Sequence, residues 1–289
     1  MLLWWTANVS TSSPLFPPIP TAFLTTDASD SGWGASVNGH PLSGTWTGPQ
    51  QRWHINRKEL HAVRLAISRH ASRLRGSTVL LQSDSKTVVA YVQRQGGTKS
   101  LGLLEEVEAL LLMTHRSQIL LTARFIPGVY NTLADSLSRR QVPPEWHLSS
   151  RVTADIFDLW GTPEFDLFAT HSSAVVPQYA SLDQTDLGAS FIDAFSRQWT
   201  FTLAWIFPPP ALVPRVLHHL NSAVGSFILV APRWEKTFWL PDLQRRALLP
   251  PYIFPRLHSN LIDLSTGRPP PQASDLCLEA WKVRGGPPK

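Results

Sequence analysis

Four acidic residues stand where separate elements could deliver them to one point. Asp27 closes the first predicted strand in Thr25-Thr26-Asp27-Ala28-Ser29, and Asp84 closes the fourth in Gln82-Ser83-Asp84-Ser85. Glu59 lies in the opening turns of the first long helix, in Ile55-Asn56-Arg57-Lys58-Glu59-Leu60. Asp135 lies in the short helix Asn131-Thr132-Leu133-Ala134-Asp135-Ser136-Leu137-Ser138-Arg139. They are too far apart for a local linear site. Carboxylates gathered without a cation would repel one another and raise each other's pKa. Mg²⁺ accepts carboxylate oxygens while keeping several waters, so a few carboxylates plus a substrate phosphate suffice. Two such ions about 4 Å apart stabilise the attacking and leaving oxygens of a phosphoryl displacement. Taken singly, each residue has a plainer role. Asp27 reads as a turn residue, Glu59 as an acid opposing the helix dipole, Asp84 as an N-cap and Asp135 as an exposed helix acid. Only the set points to a metal site.

The set converges if the first and fourth strands run side by side with both helices over their ends. The pattern allows this. Ala22–Thr26 and Gly32–Val37 read as strands, the second closed by the Asn38-Gly39 turn, and Pro41–Trp46 as a third antiparallel strand. Asn56 is placed to cap a helix whose Leu60, Val63, Ile67 and Leu74 share one face. Thr78–Leu81 reads as a buried strand, Ser85–Gln95 and Leu101–Met113 as helices, and Ile119–Ile126 as a fifth strand. The fold class is therefore α/β: a mixed five-stranded sheet with flanking helices, followed by a second, smaller α/β unit.

Composition sets the outer limits. Twelve Trp, 13 Phe and only 16% charged residues in 289 exclude a disordered chain. A lone cysteine, Cys277, excludes a disulfide scaffold or a cysteine-built zinc site. No apolar run approaches the length of a spanning helix, and Met1–Trp5 lacks the basic flank of a signal peptide. We therefore expect no membrane association and a cytoplasmic or nuclear location. The net charge of +5 is carried entirely by residues 1–147, while residues 148–289 balance. A polyanionic partner is to be sought on the first half. The expected organisation is a Pro/Ser-rich leader at 1–20, the first unit at 21–142, the second at 148–250 and a Pro-rich, unstructured tail at 251–289.

Residues 22–140 resemble a type 1 ribonuclease H domain of the kind found in retroelement polyproteins. The resemblance rests on Gly32-Trp33-Gly34-Ala35, Asn56-Arg57-Lys58-Glu59-Leu60, and Pro127-Gly128 ahead of Asn131-Thr132-Leu133-Ala134-Asp135. Val88-Val89-Ala90-Tyr91 and Gln95-Gly96-Gly97, after Gln82-Ser83-Asp84, are similar to DIRS-like retrotransposons. Leu3-Trp4-Trp5 resembles the segment after their polymerase thumb. The resemblance implies metal-binding, catalytic carboxylates at Asp27, Glu59, Asp84 and Asp135. It implies two Mg²⁺ ions, replaceable by Mn²⁺, and an RNA–DNA hybrid contacted by Arg94, Lys99 and Asn131. It also implies the reverse transcriptase portion of a parent polyprotein as a partner. Two features depart from the family. The loop Phe125–Tyr130 has no histidine, and no basic gripping helix follows Arg94.

In the second unit, Asp166-Leu167-Phe168-Ala169-Thr170, Pro177-Gln178-Tyr179, Asp193-Ala194-Phe195 and Phe207-Pro208-Pro209-Pro210 resemble a DNA adenine methyltransferase-like module. Phe207 offers no acceptor for an adenine amino group and Pro210 no aromatic face. A methyltransferase-like fold without methylation is expected. The leading function is a metal-dependent endonuclease cleaving RNA in RNA–DNA hybrids, leaving 5′-phosphate and 3′-hydroxyl ends. The rivals are an inactive nucleic-acid-binding remnant of a decayed retroelement and an adenine methyltransferase.

Overall fold

The computed structural model describes residues 18–97, 99–234 and 236–288. Leu3-Trp4-Trp5 and most of the expected leader lie outside the described residues.

Strands β1 (Ala22–Ala28), β2 (Gly32–Val37) and β3 (His40–Thr45) form an antiparallel meander. Its second turn is Asn38-Gly39, with φ of 53° and 88°, the left-handed pair that a two-residue hairpin requires. The chain then makes α1 (Ile55–Arg69) and returns as β4 (Thr78–Ser83), parallel to β1. Helices α2 (Lys86–Gln93) and α3 (Leu101–Arg116) follow, then β5 (Leu120–Phe125), parallel to β4, and α4 (Thr132–Ser138). The sheet order is β3-β2-β1-β4-β5. Every residue of β1 and β4 is buried, including the polar Thr25, Thr26, Gln82 and Ser83 that lead into Asp27 and Asp84. Leu60, Ala62, Val63, Ala66 and Ile67 of α1 are fully buried in the same core as Leu24, Val79 and Leu81.

One local expectation needs correcting. His54, not Asn56, caps α1: its backbone is extended and its Nδ1 accepts the Asn56 N–H at 3.2 Å.

Helix α5 (Ser150–Trp160) leads to a second sheet built from β6 (Phe165–Asp166), β7 (Thr200–Ile206), β8 (Val224–Pro232), β9 (Tyr252–Ile253) and β10 (Leu278–Arg284). Helices α6 (Val213–Leu220) and α7 (Leu240–Arg246) connect its strands, and the order is β9-β10-β8-β7-β6. The tail at 251–289 departs from its reading as unstructured. Leu278–Arg284 pairs antiparallel with Ser226–Pro232 of β8, and Tyr252–Ile253 pairs with it in turn. Leu278, Ala280 and Val283 are buried there, because the open edge of β8 supplies the hydrogen bonds that local pattern cannot.

The second unit meets the first sheet through α6 and the turn before it. Gln82 Nε2 donates to the Ala211 carbonyl at 2.6 Å, and the Arg215 guanidinium donates to the Asn38 carbonyl. Ile126 and Tyr130, at the end of β5, sit in an apolar cluster with Leu148, Val152, Trp205 and Ile228. Among the described residues no helix is long and apolar enough to cross a membrane.

Candidate metal centre

The parallel pairing of β1 and β4 puts Asp27 and Asp84 at neighbouring strand ends, and α1 crosses above them. Asp27, Glu59 and Asp84 each present a carboxylate oxygen within 4.8 Å of the other two. Asp84 is not the cap of α2: Ser85 takes that place, its Oγ accepting the Val88 N–H at 3.4 Å, which leaves the Asp84 carboxylate to face the cluster. Glu59 is buried and its Oε2 has no hydrogen-bond partner. A buried carboxylate oxygen left without a partner is costly in any folded chain and calls for a ligand.

The electrostatics follow from crowding out of water. Burial pushes Glu59 up to about 9, reinforced by the Asp27 and Asp84 charges and opposed by a hydrogen bond from the Ala28 backbone. Burial likewise pushes Asp27 up to about 7, against the Ser138 hydrogen bond and with the help of Asp84 and Asp135. Asp84 is raised too, mainly by burial, and restrained by hydrogen bonds from its own backbone and from Asn131. All three shifts run in the direction that a divalent cation would reverse. The trio therefore fits a hard cation.

Asp135 stands apart from this trio. Its Oδ1 accepts from Arg139 Nε at 2.8 Å, and its side chain is 41% exposed. The cause lies in α4 itself, where Asp135 and Arg139 are one turn apart and pair at the surface. The same helix still serves the centre through another residue. Ser138 Oγ donates to Asp27 Oδ2 at 2.5 Å. Gly34 makes this possible: a Cβ there would overlap the Ala134 carbonyl oxygen and lie 2.5 Å from the Ser138 nitrogen, so only glycine lets α4 rest on β2.

Asn131 needs correction as a hydrogen-bonding partner of nucleic acid. It is buried, and its Nδ2 donates to the Thr26 carbonyl at 3.0 Å and to Asp84 Oδ1 at 3.3 Å. It ties the loop before α4 to the ends of β1 and β4 instead of meeting solvent.

Arg94 and Lys99 are exposed and line a groove of about 820 Å³ between the start of α1, α2 and the start of α3. Trp53, His54, Asn56, Arg57, Lys86 and Tyr91 line it with them. Arg57 stacks over Trp53 at 4.0 Å and pairs with Glu105 and Glu106. Sequence reasoning missed Trp53, His54, Lys86 and Ser138. The first two immediately precede the helix that carries Glu59, and Lys86 follows Asp84 by two residues, so proximity to the carboxylates was the usable signal.

No protein-family model and no curated protein sequence matches the chain. Solved structures do. The LC11 ribonuclease H1, crystallised in complex with an RNA/DNA hybrid, aligns over 42% of this chain and 96% of its own, at 19% identity and a TM-score of 0.37. The N-terminal ribonuclease H domain of a Mycobacterium tuberculosis protein aligns over 41% of this chain and 91% of its own, at 17% identity and a TM-score of 0.35. A foamy viral protease-reverse transcriptase in complex with RNA/DNA hybrid aligns over 45% of this chain and 21% of its own, at 17% identity and a TM-score of 0.31. The strand order and helix placement of residues 22–138 make this part of the chain a mixed five-stranded α/β unit. The carboxylate geometry carries the functional reading.

Proposed function

We propose that the chain is a divalent-cation-dependent endonuclease that cleaves RNA in RNA–DNA hybrids. The observation that carries this is the convergence of Asp27, Glu59 and Asp84 within 4.8 Å, with Glu59 Oε2 buried and unpartnered. Mg²⁺ or Mn²⁺ bound there would supply Lewis-acid stabilisation of the phosphate and of the incoming nucleophile. Asp27 and Asp84 would hold the cations from the strand ends, and Glu59 from above. Ser138 orients Asp27, and Asn131 orients Asp84. Asp135 would join as a fourth ligand on leaving Arg139.

The groove lined by Arg94, Lys99 and Lys86 supports an extended polyanion beside the trio, with Trp53 as an apolar wall. Selection for a hybrid would come from its A-form-like shape and its 2′-hydroxyls. The chain would act within a retroelement polyprotein, where a reverse transcriptase portion holds the substrate.

The test is cleavage of a labelled RNA–DNA hybrid by the whole chain. Cutting of the RNA strand with Mg²⁺ or Mn²⁺ is expected, with duplex DNA and single-stranded RNA spared. Asp84→Asn keeps the volume, loses the charge and should abolish cutting. Undiminished cleavage by that variant, or cleavage in excess EDTA, would falsify the assignment.

One observation favours the rival reading of an inactive remnant, namely the engagement of Asp135 by Arg139. A wild-type chain that binds hybrid and never cuts it would establish that rival. Adenine methylation is disfavoured by Phe207, whose ring packs in an apolar cluster and offers no acceptor. Tritiated S-adenosylmethionine incubated with DNA should leave no label above a heat-killed control.

A further inference from the structure

Asp84 is supported from two directions, and both supports end on the second sheet. From above, the loop between β5 and α4 closes over it. A Cβ on Gly128 would lie 3.0 Å from Asp84 Oδ2, and Asn131 donates to Oδ1 at 3.3 Å. The loop is a single tight turn, closed by the Tyr130 and Asn131 amides on the Pro127 and Gly128 carbonyls at 2.9 Å each. Loops of this kind are mobile unless something fixes them. Here the flanking side chains do so from the far side. Ile126 and Tyr130, 2% and 6% exposed, pack into the apolar cluster of the second sheet with Leu148, Trp205 and Leu278. The Tyr130 hydroxyl donates to the Cys277 carbonyl at 3.4 Å.

From below, β4 reaches the second sheet through Gln82, two residues before Asp84 and 1% exposed. Its amide donates at 2.6 Å to the carbonyl of Ala211, the residue after Pro208-Pro209-Pro210. Pro210 and Ala211 are buried. The proline turn at the end of β7 thus presents a fixed acceptor to the strand that bears a carboxylate of the metal centre.

We propose that the second sheet is a brace for the metal centre, with Tyr130 and Gln82 as the positioning residues that transmit its rigidity to Asp84. This rests on the cation-binding reading of the trio. A rigid neighbour that locks the supports of a ligand improves the geometry the cation meets. Asn131 bonds Asp84 directly, whereas Tyr130 and Gln82 act one step further out, so their effect is smaller than the 10- to 100-fold that direct partners of metal ligands commonly carry.

The experiment uses the whole chain and reads Mn²⁺ affinity by titration calorimetry, with thermal melting in parallel. Tyr130→Ala and Gln82→Leu should each weaken Mn²⁺ binding severalfold. Tyr130→Phe, which keeps the ring in its cluster, should bind near the wild-type level. Leu243→Ala, a fully buried change in the second sheet's core away from these contacts, should lower the melting temperature and leave Mn²⁺ affinity alone. Wild-type affinity in folded Gln82→Leu and Tyr130→Ala chains overturns the brace. So does an equal loss in Leu243→Ala, which would make the effect one of general stability. If Tyr130→Ala does not fold, Gln82→Leu decides alone. Hybrid cleavage by the wild type is scored separately. A chain that binds Mn²⁺ and does not cut ends the nuclease reading and leaves the brace to be judged on affinity. A wild type that binds no Mn²⁺ overturns both.

Discussion

Arg139 Nε donates to Asp135 Oδ1 at 2.8 Å across one turn of α4, while the Asp135 charge still acts on Asp27, Glu59 and Asp84. The positive charge of Arg139 also acts on Asp27 and Asp84. Both side chains are about half exposed, so the pair contributes at most about 1 kcal/mol to folding. Arg139→Gln should therefore leave the melting temperature nearly unchanged while tightening Mn²⁺ binding severalfold, because it frees Asp135 and removes a competing cation. Asp135→Asn should cost less Mn²⁺ affinity than Asp84→Asn. Calorimetric titration of the three variants checks this, and weaker binding by Arg139→Gln would show that the arginine supports the centre.

The raised carboxylates make stability depend on pH in a definite sense. Asp27 moves from an ordinary 3.8 to about 7 and Glu59 from 4.5 to about 9 in the folded chain. A folded pKa above the unfolded one means that the native state binds more protons. The associated stability is complete below 3.8 and 4.5, and is lost as pH rises through 7 and 9. In EDTA the melting temperature should fall across this window. Mg²⁺ favours the ionised forms, so its stabilising effect should grow with pH. Thermal melts with and without Mg²⁺ test both statements, and a Mg²⁺ effect that shrinks toward alkaline pH contradicts them.

Gly34→Ala should be damaging far beyond its size. The added methyl meets the Ala134 carbonyl, the Ser138 nitrogen and Leu137 Cβ, all on α4. Backbone cannot step aside as a flexible side chain can, so α4 must lift from β2, at a cost of about 1–3 kcal/mol. Ser138 would leave Asp27 with it. Urea unfolding gives the stability change; a loss under about 0.5 kcal/mol, the range of an ordinary surface change, would mean that the helix adapts.

Hybrid binding should be weak, with a shallow dependence on salt, since the groove lined by Arg57, Lys86, Arg94 and Lys99 carries only a few basic side chains. Each phosphate contact adds about 0.9 to the slope of log affinity against log salt for a duplex. Arg94→Ala and Lys99→Ala should each weaken hybrid binding and lower that slope by about 1. Fluorescence anisotropy at a series of salt concentrations measures this. A slope unchanged in the double variant would place the hybrid elsewhere on the chain.

The local elements of the first sheet were legible in the sequence because each announces itself within a few residues. Asn38-Gly39 demands a tight hairpin, and the apolar spacing of Leu60, Val63 and Ile67 demands a buried helix face. Asp27 and Asp84 follow the apolar starts of their strands, Asp84 just past the end of β4, and so they stood out as candidates for chemistry. Tertiary structure alone decided the rest. Asp135 reads as a fourth metal ligand beside the other three, and the group that comes within 4.8 Å is Asp27, Glu59 and Asp84, with Asp135 paired to Arg139. Asn131, expected to contact the hybrid, is buried between Thr26 and Asp84. Leu278–Arg284, in a proline-rich surrounding, becomes a strand only because β8 offers it an edge. The contacts of Gln82 with Ala211 and of Tyr130 with Cys277 span 129 and 147 residues. No local pattern encodes contacts at that separation, because they depend on how two finished units meet.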